Sequence, residues 1–465
     1  MKQNLQHNIT LPASFKAQLL KWLGLAILLA WIAMAVVYVY PRWLYADSAY
    51  TLFRVLNKET LIYDRFSNML QLAPAVVLAK FNVPAVVVLH ILNLSLPLLF
   101  LFGWLWQSGK DNSKALIFPF LLWACGPQAF YFGYSEILLA AFFFGMLICL
   151  KPAKKMRELT WFWATCLLMF MSHPAAWLFS IPVVIYHTSF SGKKLALPLS
   201  ACILAAAAIQ YLFSPPTNPY DSGLLNHIFE RRLWLNVSGS NSATYLSGAL
   251  KGWMWFLFPA VAFSIYSIVK AERKQHIFLL LLFWVFAFWL VLVIYNKGDA
   301  HGNMEKFFYP CIASVLGTLI FYTRSKMGIA LFGVAFVMSQ VLFTMEQCKI
   351  FCDRYKLLNT TCNHYRQQGK TKVIGYFSGE KWQSVWALPY ESMSISALQN
   401  KATISIRSSE KSKWAGDVRA ASDSLFLGAE FMPPWPQRFL NKRHFSLAKS
   451  TYFIDTAENS GLLKR

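Results

Sequence analysis

The side chains able to exchange protons lie beside the long apolar stretches of this sequence rather than within them. Carboxylates and imidazoles take or give protons when they lie within hydrogen-bond reach of a reacting group. Charged groups at the boundary of a membrane, away from its midplane, indicate chemistry at the interface rather than an ion path. The candidates are Asp47, Asp64, Glu136, His173, Arg231, Arg232, His301, Glu305 and Lys306.

Each candidate also has a purely structural interpretation. Asp47 could be the N-cap of a helix that begins at Ser48, and Glu136 could be a helix-start acid favoured by the helix dipole. His173 precedes a proline and could be a turn residue, while the Arg231–Arg232 pair could contact lipid headgroups. The functional interpretation is favoured because all of these residues fall on one side of the membrane, which independent caps would not require.

The composition excludes most soluble classes of protein. Of the 465 residues, 56% are hydrophobic and only 14% are charged, whereas a soluble protein carries about 25% charged residues. Intrinsic disorder and a soluble nucleic-acid-binding role are therefore excluded despite the net charge of +23. We expect the chain to have no nucleic-acid partner. We expect its fold to be an all-α, multi-pass membrane bundle.

About eleven apolar segments are long enough to be spanning helices, given that roughly 20 residues cross the hydrocarbon core. Two regions divide in two, 115–150 at Gly126–Pro127 and Gly133, and 159–192 at Ser172–Pro174, although one span with a re-entrant segment also fits the second. The segments are 22–40, 81–109, the two halves of 115–150, the two halves of 159–192, 195–213, 250–269, 276–296, 307–323 and 327–345.

The distribution of Lys and Arg predicts the orientation. With the N-terminus in the cytoplasm, Lys and Arg are about three times as dense in the inner segments as in the membrane-proximal outer ones, as the positive-inside rule requires. The outer loops are then 41–80, 214–246 and 296–306. No cleavable signal peptide is evident. We therefore predict a transmembrane domain over 1–345 and an extracytoplasmic domain over 346–465.

The polar tail from 346 onward predicts a small α/β domain. We expect a helix over 346–368, strands over 372–377 and 402–406, and a weaker strand over 425–431. The tail has 18 Lys and Arg against 10 Asp and Glu, which favours a surface near anionic headgroups over a nucleic-acid site. Cys348, Cys352 and Cys362 could form a disulfide, whose pairing the sequence does not decide.

Three short motifs resemble the GT-C superfamily of membrane glycosyltransferases, which includes protein O-mannosyltransferases and lipid A aminoarabinose transferases. Residues 44–50 (LYADSAY) are similar to the family's first outer loop, residues 134–136 (YSE) to the start of a later span, and residues 301–310 (HGNMEKFFYP) to its last outer-loop motif. The resemblance covers the architecture of about the first 345 residues. Many members have Asp-Glu after the first span, whereas Ser48 follows Asp47 here, so Asp64 could supply the second carboxylate.

The resemblance implies an enzyme that transfers a sugar from a polyprenyl-phosphate donor to an acceptor hydroxyl at the outer face of a bacterial inner membrane. It implies an inverting reaction with Asp47 as the catalytic base. Arg231, Arg232, His301 and Lys306 would contact the donor phosphate, and Glu136, Glu305 and His173 would orient substrate.

The same residues leave other partners and functions open. The acceptor could be a glycan, a lipid or a protein. We also expect contacts with membrane lipids. No cofactor is expected, while a divalent metal ion is compatible with the acids but has no assignable ligands. An O-antigen-type polymerase or ligase, which depends on outer-loop arginines, is the alternative enzyme. A lipid-linked glycan transporter is the non-enzymatic alternative, and it predicts polar residues or broken helices near the midplane.

Overall fold

The computed structural model describes most of the helical regions and most of the tail. The described residues are 13–59, 66–125, 130–150, 155–173, 176–191, 194, 196–213, 262–266, 269, 274–294, 309–322, 326–377, 382, 384–410, 413, 417, 424–430 and 432–455. This part of the chain is mostly helical and has few strands. The helical class expected from the sequence is therefore confirmed.

In the described part of the chain, most α-helices coincide with apolar segments, and several of the shorter ones lie in the segments between them. The helices are α1 (Ala13–Val37), α2 (Val39–Trp43), α3 (Ala46–Leu56), α4 (Met69–Lys80), α5 (Ala85–Ser108), α6 (Asn112–Ala115), α7 (Ile117–Ala124), α8 (Glu136–Cys149), α9 (Met156–Phe170), α10 (Trp177–Ser191), α11 (Ala196–Phe213), α12 (Lys274–Ile294), α13 (Tyr309–Tyr322), α14 (Lys326–Gln367) and α15 (Leu388–Leu398). Short 3₁₀ turns occupy Phe66–Asn68, Val385–Ala387 and Gln437–Phe439.

Two of the described helices are long and apolar enough to cross a membrane, Gln18–Val37 within α1 and the whole of α5. Shorter apolar helices occupy Glu136–Cys149, Ala196–Leu212, Gln275–Val285 and Pro310–Tyr322. Gly133 lies between α7 and α8, and Ser172 lies between α9 and α10, as predicted. Gly126, Pro127 and Pro174, at which the same breaks were expected, lie outside the described residues. The predicted span over 250–269 lies mostly outside the described residues.

The chain forms two compact units. One comprises residues 1–31, 97–125 and 140–341, and the other comprises 32–96, 126–139 and 342–465. This division differs from the predicted boundary at 345, because the tail shares its unit with the first predicted outer loop. Sequence patterns alone could not reveal this, since the joined segments are about 300 residues apart.

The first unit has a core of aromatic side chains. The ring of Phe118 lies 5.9 Å from that of Phe142, which lies 5.6 Å from that of Phe100. Gly103 allows this packing, because a Cβ atom there would lie 2.6 Å from the Phe118 ring. A polar contact in the same unit joins two helices, since the Tyr322 hydroxyl of α13 donates to Ser189 Oγ of α10 at 2.7 Å.

The tail contains a parallel sheet with a helical crossover. Strands β1 (Lys372–Gly375), β2 (Ser405–Ser408) and β5 (Phe453–Asp455) form a three-stranded sheet in the order β2-β1-β5. Both strand pairs are parallel, with Val373 opposite Ile406 and Phe453. Parallel neighbours need a crossover connection, and α15 provides it between β1 and β2. An antiparallel pair joins β3 (Leu425–Phe426) to β4 (Trp435–Pro436).

The predictions for the tail are confirmed in part. The helix expected over 346–368 is the second half of α14, and β1 and β2 lie at or beside the first two predicted strands. The third strand has two residues rather than seven, and β5 was not predicted. All eight cysteines carry free thiols, and Cys348 Sγ lies 3.3 Å from Cys352 Sγ one helical turn away.

The core of the second unit is centred on Phe53 of α3. This side chain is fully buried. Its ring lies 5.1–5.8 Å from four rings of the tail, those of Tyr390, Phe426, Trp435 and Phe445. Because burial of apolar area stabilises a fold in proportion to the area, α3 and the tail stabilise each other.

We expect Phe53→Ala to destabilise the second unit by about 3–5 kcal/mol, because it removes a buried ring and leaves a cavity among four others. The free energy of unfolding is measured by denaturant titration of the purified chain, with proteolytic cleavage of the tail as the readout. Phe439→Ala is the matched control, because that ring is 60% exposed and surface substitutions usually change stability by less than about 0.5 kcal/mol. Equal stability of the two variants would contradict the packing.

Candidate functional site

A tight turn between α2 and α3 presents Asp47. Tyr45 precedes the helix in an extended conformation, and its carbonyl accepts the backbone N–H groups of Ser48 and Ala49 at 3.2 and 3.3 Å. Ala46 has a φ of +46°, in the left-handed region that costs a non-glycine residue about 1–2 kcal/mol. Asp47 follows in the first helical turn, and its side chain is exposed.

The N-cap interpretation of Asp47 is wrong. The helix begins one residue before Asp47, and its N-cap residue is Tyr45 rather than an acid. In the described part of the chain, the carboxylate makes no hydrogen bond or ion pair. Among the described residues, the Asp47 carboxylate is therefore exposed and makes no polar contact.

A buried ion pair from the tail holds this turn. Glu391 of α15 is fully buried, and its Oε1 accepts the backbone N–H of Ala46 at 3.2 Å. Its Oε2 accepts a hydrogen bond from Arg354 Nη2 of α14 at 2.6 Å. The Arg354 guanidinium also lies 4.9 Å from the centre of the Trp382 ring. The left-handed residue is thus fixed by a charged acceptor that neither solvent nor salt readily screens.

Burial raises the pKa of the Glu391 carboxyl above its usual 4.5, and this effect exceeds the opposing effects of Arg354 and the Ala46 N–H. An acid with a raised folded-state pKa binds its proton more tightly when folded. Its contribution to stability is therefore present at pH below 4.5 and is lost as the pH rises towards the folded-state value. Keeping this group buried at neutral pH costs free energy, which the turn and its surroundings must offset.

Glu136 lies on a segment that is bonded directly to the Asp47 turn. The Ser48 hydroxyl oxygen accepts the backbone N–H of Tyr134 at 3.2 Å. Glu136 Oε1 accepts a hydrogen bond from the Tyr134 hydroxyl at 2.9 Å and another from Asn68 Nδ2 at 3.1 Å. Glu136 is half-buried and begins α8. Its carboxylate therefore does more than favour a helix start, because it joins two loops of the second unit.

A second buried cation, Arg42, forms hydrogen bonds with the segment that precedes Glu136. Arg42 is 1% exposed, donates from Nε to the Phe130 carbonyl at 2.6 Å, and donates from Nη1 to Asn93 Oδ1. Gly133 N–H donates to the Arg42 carbonyl at 3.2 Å. A Cβ at Gly133 would lie 2.6 Å from the Trp43 ring, so only glycine allows this approach. Burial lowers the pKa of Arg42 to about 9.

The other predicted residues are distributed differently. His173 is buried after α9 and belongs to the first unit. The remaining predicted residues, Asp64, Arg231, Arg232, His301, Glu305 and Lys306, lie outside the described part of the chain. Among the residues that are described, no three metal-binding side chains lie close together.

Sequence reasoning missed the residues that position Asp47. Glu391 has a recognisable signal, because it is the single charged residue of α15, an otherwise uncharged helix. Arg354 has none, because it is one of several charged residues in its segment, and Arg42 has none, because a basic residue just after an apolar stretch is common. Tyr134 belongs to a quoted motif, but its backbone contact to Ser48 depends on tertiary structure.

No family model matches this chain, and neither the curated proteins nor the solved structures include a significant match.

We expect Glu391→Gln and Arg354→Met each to destabilise the second unit by about 3–5 kcal/mol, because each leaves one buried partner unpaired. The double variant should lose much less than the sum, since no unpaired charge remains. Denaturant unfolding of the four proteins measures the coupling. The exposed pair Asp353 and Lys356, 3.9 Å apart, is the control and should couple by less than about 1 kcal/mol. Additive losses at positions 354 and 391 would contradict the pairing.

Proposed function

We propose that this chain is a membrane glycosyltransferase of the GT-C type, in which Asp47 is the catalytic base. The donor is a sugar linked to a polyprenyl phosphate, and the acceptor is a hydroxyl at the outer face of the inner membrane. The observation that carries the proposal is the exposed, unpaired carboxylate of Asp47 on a turn fixed by a buried ion pair. Strained turns held by their surroundings cluster at functional sites.

The proposed reaction is a single displacement with inversion. The acceptor oxygen forms a bond to the anomeric carbon while its proton passes to the Asp47 carboxylate. The bond from the anomeric carbon to the phosphate oxygen breaks, and polyprenyl phosphate leaves with both bonding electrons. Arg231, Arg232, His301 and Lys306 are proposed to stabilise the developing negative charge, on sequence grounds alone.

The remaining features support a site at the membrane boundary. The first predicted outer loop and the predicted extracytoplasmic tail belong to one unit, as two segments on the same side of a membrane could. The Glu136 carboxylate is tied to the Asp47 turn through Tyr134 and Ser48. The proposed eleven spans place both acids at the ends of apolar helices, where a lipid-linked donor could reach them from the bilayer.

The direct test is mass spectrometry of the lipids that co-purify with the protein. We expect a polyprenyl phosphate that carries a sugar. A preparation that contains only bulk phospholipids, even when the donor pool of the cells is raised, would contradict the proposal.

We expect Asp47→Asn to lower sugar transfer in isolated membranes by about 10²–10⁴-fold, the usual contribution of a general base, while the donor still co-purifies. Asp353→Asn is the matched control, because it removes another exposed carboxylate of the same unit and should keep full activity. Transfer and unfolding are measured on both variants.

Loss of activity on substitution of Arg231 and Arg232, with near-normal activity of Asp47→Asn, would instead identify the polymerase or ligase chemistry. Uptake or export of an unchanged lipid-linked glycan by an Asp47→Asn variant would identify a transporter.

A further inference from the structure

A loop at the end of the tail carries positive charge without any acid. Residues 437–452 include no Asp or Glu, but they contain Arg438, Lys442, Arg443 and Lys449. All four of these basic side chains are exposed. The loop follows β4 and includes the 3₁₀ turn Gln437–Phe439, so its backbone is ordered where the charges begin.

Asn441 attaches this loop to the end of α3 and brings in one more cation. Its backbone N–H donates to Asn57 Oδ1 at 2.6 Å, and its side-chain Nδ2 donates to the Leu56 carbonyl at 2.8 Å. Lys58 follows directly, with a φ of +62°. The two bonds of Asn441 bring the loop next to Lys58. Burial and then the positive charges of Arg443 and Lys58 lower the pKa of His444.

We call Lys58, Arg438, Lys442 and Arg443 the basic patch. Within the described part of the chain, none of the four forms an ion pair with an acid. The neighbouring Glu59 is occupied by Arg54, 2.6 Å away. Like charges that are gathered without counter-charges repel one another, and an anionic partner would relieve that repulsion.

The same loop carries an exposed aromatic ring on a hydrogen-bonded turn. Phe439 is 60% exposed, whereas the next residue, Leu440, is buried. The turn that carries it is held by Gln437, whose backbone N–H donates to the Ser424 carbonyl at 2.8 Å. The Arg438 guanidinium lies 5.0 Å from the centre of the Phe439 ring. An exposed aromatic ring among Lys and Arg is typical of surfaces that bind at the level of lipid headgroups.

We propose that the basic patch and Phe439 bind the surface of a bilayer that contains anionic phospholipids. The cations meet the lipid phosphates, and the ring enters the interface between headgroups and acyl chains. A bilayer is favoured over other polyanions because the chain has two helices long and apolar enough to cross one. The proposal is independent of glycosyl transfer, since it concerns neither Asp47 nor the donor.

Hydrogen exchange of the full chain in lipid nanodiscs tests the proposal. Discs of phosphatidylcholine alone are compared with discs that contain about 30% phosphatidylglycerol. We expect the amides of 437–446 to exchange at least about fivefold more slowly in the anionic discs, since each basic residue near an anionic surface changes binding by roughly that factor. This protection should disappear at 0.5 M salt, because charges in the headgroup region are then screened.

The matched variants replace equal numbers of exposed cations in the same unit. Arg438→Glu/Lys442→Glu/Arg443→Glu should remove the protection, while Lys349→Glu/Lys356→Glu/Lys401→Glu should retain it. Unfolding of both triple variants is measured, and Phe439→Ser gives a second test that leaves the charges in place and should weaken the protection.

Equal exchange in neutral and anionic discs would overturn the proposal. So would protection by added single-stranded DNA or polyglutamate in neutral discs without any effect of phosphatidylglycerol, which would assign the patch to a soluble polyanion.

Discussion

The buried ion pair between Glu391 and Arg354 is the interaction on which the second unit depends. Both charges are removed from water, and such pairs often contribute little net stability because desolvation is expensive. Here one carboxylate oxygen has a further task, since it accepts the backbone N–H of a left-handed alanine. A hydrocarbon pair could fill the same volume but could not hold that turn. We infer that the pair is kept for the conformation it fixes.

This arrangement gives the tail a structural role in the candidate site. The turn before α3 is held by Glu391 of α15 and its partner Arg354 of α14, and Phe53 of α3 packs on the aromatic rings of the tail. The tail is therefore part of the scaffold for Asp47 rather than a separate module. On our proposal, a membrane enzyme that uses a lipid-linked donor would need such a scaffold, because a loop beside the bilayer has few partners of its own.

Much of the helical pattern could be predicted, because apolar runs and Gly-Pro breaks are local signals. These signals predict the helix that begins the tail and the non-helical positions Gly133 and Ser172 before α8 and α10. The strand β5 was missed, since it pairs with β1 across about 80 residues and has only three residues of its own. Its short polar-flanked sequence carries no period that would distinguish it from a loop.

The candidate site was predicted only in part, for a similar physical reason. Asp47 and Glu136 stood out as charges at the ends of apolar runs, and their segments are bonded to each other. Glu391 is fully buried, although it belongs to a tail rich in exposed polar residues. Its partner Arg354 lies 37 positions earlier in the sequence, and a single sequence gives no indication that the two side chains meet.

The proposed function is tested most directly by determining on which side of the membrane the second unit lies. In a variant without native cysteines, Asp47→Cys and Arg438→Cys are labelled separately with a membrane-impermeant maleimide in intact and in opened cells. If the second unit is extracytoplasmic, as we propose, both positions react in spheroplasts whose inner membrane is intact. Labelling of either position only after the inner membrane is opened would place the unit in the cytoplasm and contradict the account.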